Sequence, residues 1–161
     1  MTIAELDVWD ETQIAPRLHE CCGSAQWVAH MLAARPYGGP ADLEIAATEH
    51  WWRLTPADWL EAFSRHPKIG EKGRVGQWSS QEQSGMNSAA TQVTRRLAHL
   101  NQLYLDKFGW IFIVCATGKS AEEMLSLLES RLRNTAEAEL RVAAAEQNQI
   151  TLLRLRKLLS E

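Results

Sequence analysis

Three stretches of the sequence carry side chains suited to chemistry. The first is His66-Pro67-Lys68-Ile69-Gly70. Pro67 blocks continuation of the helix before it, so the imidazole is held at the mouth of a loop. Its unperturbed pKa lies near neutrality, which suits proton transfer. The structural alternative is a histidine placed at a helix C-terminus by the dipole. The second stretch is Ser79-Ser80-Gln81-Glu82-Gln83. Ser79 and Glu82 have capping-box spacing, and that alone accounts for them structurally. The same helix start presents unpaired N–H groups that bind carboxylates, with Glu82 and Gln83 projecting beside them. The third is Arg154. On a helical wheel it falls inside an apolar arc made by Leu140, Ala143, Ala144, Ile150, Thr151, Leu155 and Leu158, while Arg156 falls outside it. An inward guanidinium needs a partner, either a structural carboxylate or an anionic substrate gripped by its fork.

Other groupings say less. His19, Cys21, Cys22 and His30 can be drawn as a zinc set, but their spacing matches no familiar pattern, and no metal is expected. GxGxxG, GxxxxGK[ST], HExxH and GxSxG are all missing from the sequence. Trp27, Trp51, Trp52 and Trp59 sit in helical segments and are read as core. Cys115 lies inside an apolar run and is read as buried rather than reactive.

The elements that must position these groups are helices. Ala90, Val93, Leu97, Leu100 and Tyr104 recur at three- and four-residue steps and predict a helix over Ser88–Lys107. Ser120 with Glu123 opens a leucine-rich helix over Ala121–Arg133, and Asn134 with Glu137 is a similar start for the last helix. Thr55-Pro56 with Asp58 opens another, expected to turn Trp59, Leu60 and Phe63 inward. Ala25–Ala34 and Asp42–Arg53 are helix-compatible. Arg35–Pro40 is a turn cluster, and Pro67–Gln77, with three glycines and three cations, reads as an exposed loop. Phe108–Thr117 is apolar and β-branched but has no credible partner strand, so it reads as an extended segment laid across a helical core. The expected fold is all-α: a single-domain helical bundle over residues 1–161, with a short extended segment near residues 110–116.

Composition narrows the function classes. With 161 residues, 45% hydrophobic and 23% charged, the chain is long enough to bury a core without staples. A net charge of −3 argues against nucleic acid. Three cysteines, two of them adjacent, argue against a disulfide framework and for a reducing compartment. The acidic first twenty residues carry no signal-peptide pattern, and the longest apolar run, Trp110–Ala116, is too short to span a bilayer. The expectation is a soluble cytoplasmic protein without a membrane partner.

Taken in order, His66-Pro67-Lys68-Ile69-Gly70, Ser79-x-x-Glu82-Gln83, Phe108-Gly109-Trp110-Ile111-Phe112-Ile113-Val114-Cys115, and Arg131-Leu132-x-Asn134 through Glu139-Leu140 to Leu153-Arg154-Leu155 resemble the 2-oxo-4-hydroxy-4-carboxy-5-ureidoimidazoline (OHCU) decarboxylases. Ser24-Ala25-Gln26-Trp27-Val28-Ala29 looks like that family's earlier S-x-W motif. The ordered set covers nearly the whole chain. The resemblance implies an all-α, cofactor-free enzyme for the third step from urate to allantoin, setting the stereocentre of (S)-allantoin. It carries the catalytic histidine onto His66 and a substrate-binding proline onto Pro67. It carries the serine, glutamate and glutamine onto Ser79, Glu82 and Gln83, with Ser80 and Gln81 lying in the same substrate-binding turn. The family's extended substrate-binding segment falls on Phe112, Ile113, Val114, Cys115 and Ala116, and its arginine on Arg154. Ile111 stands where the family often has Pro, Lys68 where it has an acid, and Gln77-Trp78 where smaller residues are usual.

The implied chemistry fits the residues. Loss of CO2 leaves an electron pair that the substrate's adjacent imine carbon accepts, so no cofactor is needed. His66 moves the proton, and Glu82 orients it or the substrate hydroxyl. Arg154 and the helix start near Ser79 position the anionic and ureido groups. Backbone groups of Phe112–Ala116 bind the ring amides. Two other readings stay open: a non-enzymatic helical binding module using Pro67–Gln77, and a related lyase or hydrolase acting on another ureido or imidazole compound. A homodimer is compatible with the sequence and not specified by it.

Overall fold

The computed structural model describes residues 1–67 and 88–160. Among the described residues there are eight α-helices and no strands: α1 (Ile3–Val8), α2 (Glu11–Cys21), α3 (Ala25–Ala33), α4 (Pro40–Trp52), α5 (Pro56–Ser64), α6 (Ser88–Phe108), α7 (Ala121–Arg131) and α8 (Ala136–Ser160). The all-α expectation holds. None of the described helices is long and apolar enough to cross a membrane. They fall into two compact units, one of residues 1–65 with 144–161 and one of residues 66–143.

The first unit is built on short, well-capped helices. Thr2, Asp10 and Thr55 each close a reciprocal capping box, and the Ser24 hydroxyl accepts the Trp27 N–H. Each such cap contributes about 1 kcal/mol, which matters because isolated helices this short are marginal in water. α1 and α2 were not anticipated in the sequence, although Ile14, Leu18 and Cys21 lie on one face of α2 and are all buried. Trp27, Trp51 and Trp59 fill the core. Their indole N–H groups donate to the carbonyls of Ala47 (3.1 Å), Ala144 (2.8 Å) and Trp51 (3.0 Å). Each ring therefore buries its apolar body without stranding its one polar atom. Two inward assignments need correcting: Trp52 is 40% exposed and Leu60 is 39% exposed. Both sit at the solvent edge of their helices; Trp52 packs edge-on against Trp59. At Gly23, between α2 and α3, a Cβ would stand 2.3 Å from Cγ of Arg65, so only glycine lets the stem of the residue before His66 pack there.

In the second unit α6 and α7 pack together, and the anticipated face of α6 is the buried one. Leu97, Leu100, Tyr104 and Phe108 form one cluster with Phe112, Val114, Met124 and Leu128. Tyr104 meets Phe108 and Phe112 at ring-centroid distances of 4.6 and 5.4 Å. Gly109 closes α6 with φ +86°, a left-handed turn that aims the following residues back across the helices. Residues 111–116 form neither helix nor ladder, as the sequence suggested for a segment without a partner strand. Ser120 caps α7 as anticipated. The start of α8 differs from expectation. Thr135, not Asn134, accepts the Ala138 N–H, and the Asn134 amide turns instead to Glu139.

Candidate active site

His66 follows the C-cap of α5, Arg65, and its side chain is buried, with 9% exposure. Pro67 comes next and prevents α5 from continuing. The helix end and proline stop that the sequence assigned to this histidine are therefore both present. Ser79, Ser80, Gln81, Glu82 and Gln83 lie outside the described residues.

The segment Phe112–Ala116 is packed and tied by side chains. Phe112, Ile113, Val114 and Cys115 are buried and Ala116 is half-buried. Two of its carbonyls accept bonds from cationic side chains: that of Ile113 from Arg131 Nη1 at 2.6 Å, and that of Cys115 from Lys119 Nζ at 2.8 Å. Buried main-chain polar groups need partners, and without a neighbouring strand side chains supply them here.

Behind Ile113 lies an ionic group whose members, Arg131 and Glu139, stand in the motif run of the sequence without a role that spacing alone assigns. Glu139 is fully buried and Arg131 is 6% exposed. Arg131 Nε donates to Glu139 Oε2 at 2.8 Å, and Nη2 donates to the same oxygen. The Tyr104 hydroxyl donates to that oxygen as well, and Trp110 Nε1 donates to the Tyr104 oxygen at 3.0 Å. Asn134 Nδ2 donates to Oε1 at 3.0 Å. Burial, followed by the bond to Glu139, pushes the Tyr104 phenol well above its ordinary range, so it stays a neutral donor. A sequence signal for this group did exist. Met124, Leu128 and Arg131 recur at four- and three-residue steps, which puts the arginine on the buried stripe of α7.

Arg154 differs from expectation. It lies on the anticipated arc of α8, between buried Thr151, Leu155 and Leu158, yet its side chain is exposed. The arc faces an open cleft of about 510 Å³ at this point, lined by Arg17, Glu20, Cys21, Arg154, Lys157 and Leu158. Arg154 Nη1 donates to the Glu20 carbonyl at 3.1 Å. Among the described residues its partner is this carbonyl and not a carboxylate. Three cations against one carboxylate make the cleft electropositive, so the guanidinium is placed to receive an anionic group. Arg156 points away from the arc, as anticipated, and pairs with Glu44 on α4. The cysteines of the rejected zinc set are buried, and burial pushes the Cys22 thiol up to about 12. Among the described residues no three His, Cys, Asp or Glu side chains converge to hold a metal ion.

Residues 8–156 match the family model for OHCU decarboxylase. The chain is 37% identical over 148 residues to the uric acid degradation bifunctional protein TTL of Arabidopsis thaliana, a match covering 88% of this chain and 46% of that protein. It is 32% identical over 141 residues to the OHCU decarboxylase of Mus musculus, covering 81% of this chain and 77% of that one. Among solved structures it is similar to an OHCU decarboxylase crystallised in the presence of (S)-allantoin, with 37% identity, a TM-score of 0.76, and coverage of 89% of this chain and 96% of that one. The chain spans less than half the length of the bifunctional relatives it matches, 46% of the plant protein and 33% of a Bacillus one.

Proposed function

Because the chain belongs to the OHCU decarboxylase family, we propose that it decarboxylates OHCU to (S)-allantoin as a step of urate degradation, without a cofactor. The observation that carries the reading is the family match, which runs unbroken over residues 8–156 and takes in His66, the 112–116 segment and Arg154. That continuity also supports one family domain over 1–161. In this reading the carboxylate leaves as CO2, and the electrons of the broken C–C bond pass into the adjacent C=N system. A proton then adds to one face of the resulting carbon to set the stereocentre. His66 delivers or relays that proton, held in place by the end of α5 and by Pro67. Glu82 orients His66 or the substrate hydroxyl. Arg154 grips the anionic group, and the electropositive cleft around it supports that role. Ser79, Ser80, Gln81 and Gln83 hold the ureido end. Main-chain groups of Phe112–Ala116 read the ring amides. The three buried, unbridged cysteines support a reducing, cytoplasmic location.

The test is a circular-dichroism assay of freshly generated OHCU. The protein should accelerate decay of the substrate signal and leave a persistent signal of one allantoin enantiomer, whereas spontaneous decay in achiral buffer yields the racemate. Decay at the spontaneous rate, or a racemic product, would remove this function.

A further inference from the structure

Phe112–Ala116 poses a physical problem if its backbone reads a substrate. A segment with no strand beside it has no ladder to set which way its amides point. In extended backbone, successive residues present their N–H and C=O groups to opposite sides. The two carbonyls with cationic side-chain partners, those of Ile113 and Cys115, are two residues apart, the spacing that the extended backbone expected here puts on one side. The Ile113 carbonyl is taken by Arg131, and the same guanidinium lies 4.5 Å from the centroid of the Phe112 ring. Arg131 thus grips two consecutive residues, one through its carbonyl and one through its ring face. Its Nε and Nη2 donate to Glu139, which Tyr104 and Asn134 hold in turn.

A buried ion pair is a poor way to gain stability, since well-packed apolar residues often do as well or better. What it supplies instead is geometry. Arginine's fork can serve a carboxylate and a carbonyl at once in fixed directions, which lysine cannot do. We propose that Arg131, held by Glu139 and Tyr104, is a positioning residue for substrate binding: it fixes the orientation of the 112–116 backbone so that the amide groups of Phe112 and Val114 face the substrate. The inference rests on the decarboxylase reading for its substrate, but the tie itself can be tested without one.

The experiment pairs Arg131→Lys with Leu128→Ala, a cavity variant in the same core that leaves the tie intact. Hydrogen exchange of the whole protein is followed by mass spectrometry, and KM and kcat are measured with OHCU. In Arg131→Lys, peptides covering residues 111–116 should exchange at least about tenfold faster, with α6 little changed. KM should rise about tenfold or more with a smaller change in kcat. Leu128→Ala should lose thermal stability while KM stays within about twofold of the parent. Tyr104→Phe, which keeps the ring and removes the hydroxyl's bond to Glu139 together with the one it accepts from Trp110, should show a weaker form of the Arg131 pattern and serves if Arg131→Lys does not fold. Unchanged exchange in the segment, unchanged KM, or an equal KM rise in Leu128→Ala would overturn the proposal. If the parent fails to act on OHCU while the Arg131→Lys exchange pattern appears, the decarboxylase reading fails and the tie stands.

Discussion

Replacing Glu139 by Gln measures what the buried ionic group costs and contributes. The carboxylate is fully buried and accepts four donated bonds, from Arg131 Nε and Nη2, the Tyr104 hydroxyl and Asn134 Nδ2. An amide keeps one acceptor oxygen but turns an N–H2 group towards a donor, and it leaves Arg131 charged at 6% exposure. Breaking one half of a buried pair in this way costs about 3–5 kcal/mol. For a chain of this length each kcal/mol is worth about 2–4 °C, so the melting temperature should fall by roughly 6–20 °C. Removing both charges, as Arg131→Met with Glu139→Leu, should be milder. The Ile113 carbonyl then loses its donor and the buried Tyr104 O–H its acceptor, at about 1–3 kcal/mol each, but replacing the buried charges by apolar side chains returns about 1–4 kcal/mol. Urea unfolding followed by circular dichroism gives both values. The reasoning is refuted if Glu139→Gln loses less than about 1 kcal/mol, or if the double variant is no more stable than the single one. The double variant also separates packing from positioning, since it should regain stability while keeping the raised KM.

Four further outcomes are expected. His66→Asn should lower kcat/KM by about 10²–10⁴-fold with an unchanged far-ultraviolet spectrum, and activity within a few-fold of the parent would remove His66 from proton transfer. Arg154→Lys should raise KM with little change in melting temperature, because its only described bond is to the exposed Glu20 carbonyl; Arg156→Lys, which loosens an exposed pair with Glu44, should cost less than about 1 kcal/mol and leave KM alone. Activity should persist after exhaustive EDTA treatment, and loss restored by zinc would contradict the cofactor-free reading. On the alkaline side, burial raises Cys22 from 9.0 to about 12, so its thiol stays protonated in the fold while the unfolded chain ionises first; this contribution is whole below about pH 8.5 and is lost as pH climbs towards 12, and Cys22→Ala should flatten part of the decline in urea midpoint.

Helices were legible where one apolar face runs long, as in α6, and where a cap coincides with such a face, as at Thr55 and Ser120. α1 escaped because it is six residues long, and α2 because Pro16 interrupts the stripe of Ile14, Leu18 and Cys21 behind its capping box. Trp52 and Leu60 were misplaced because a large apolar residue at the edge of a stripe is settled by what packs over it, which local spacing does not contain. The two arginines sharpen the point. Arg131 and Arg154 both sit on the buried stripe of their helices, and a helical wheel treats them alike. Arg131 is sealed because Glu139, eight residues on, crosses from the first turns of α8 to meet it, with Tyr104 from α6 closing the group. Arg154 meets only a carbonyl at the edge of a cleft and stays open to solvent. The wheel supplies direction, whereas whether a guanidinium becomes a strut or a ligand grip depends on whether another helix brings a carboxylate to it. On that criterion Arg154 stays open to the anion that the proposed function assigns to it, and Arg131 is the strut proposed to hold the 112–116 backbone.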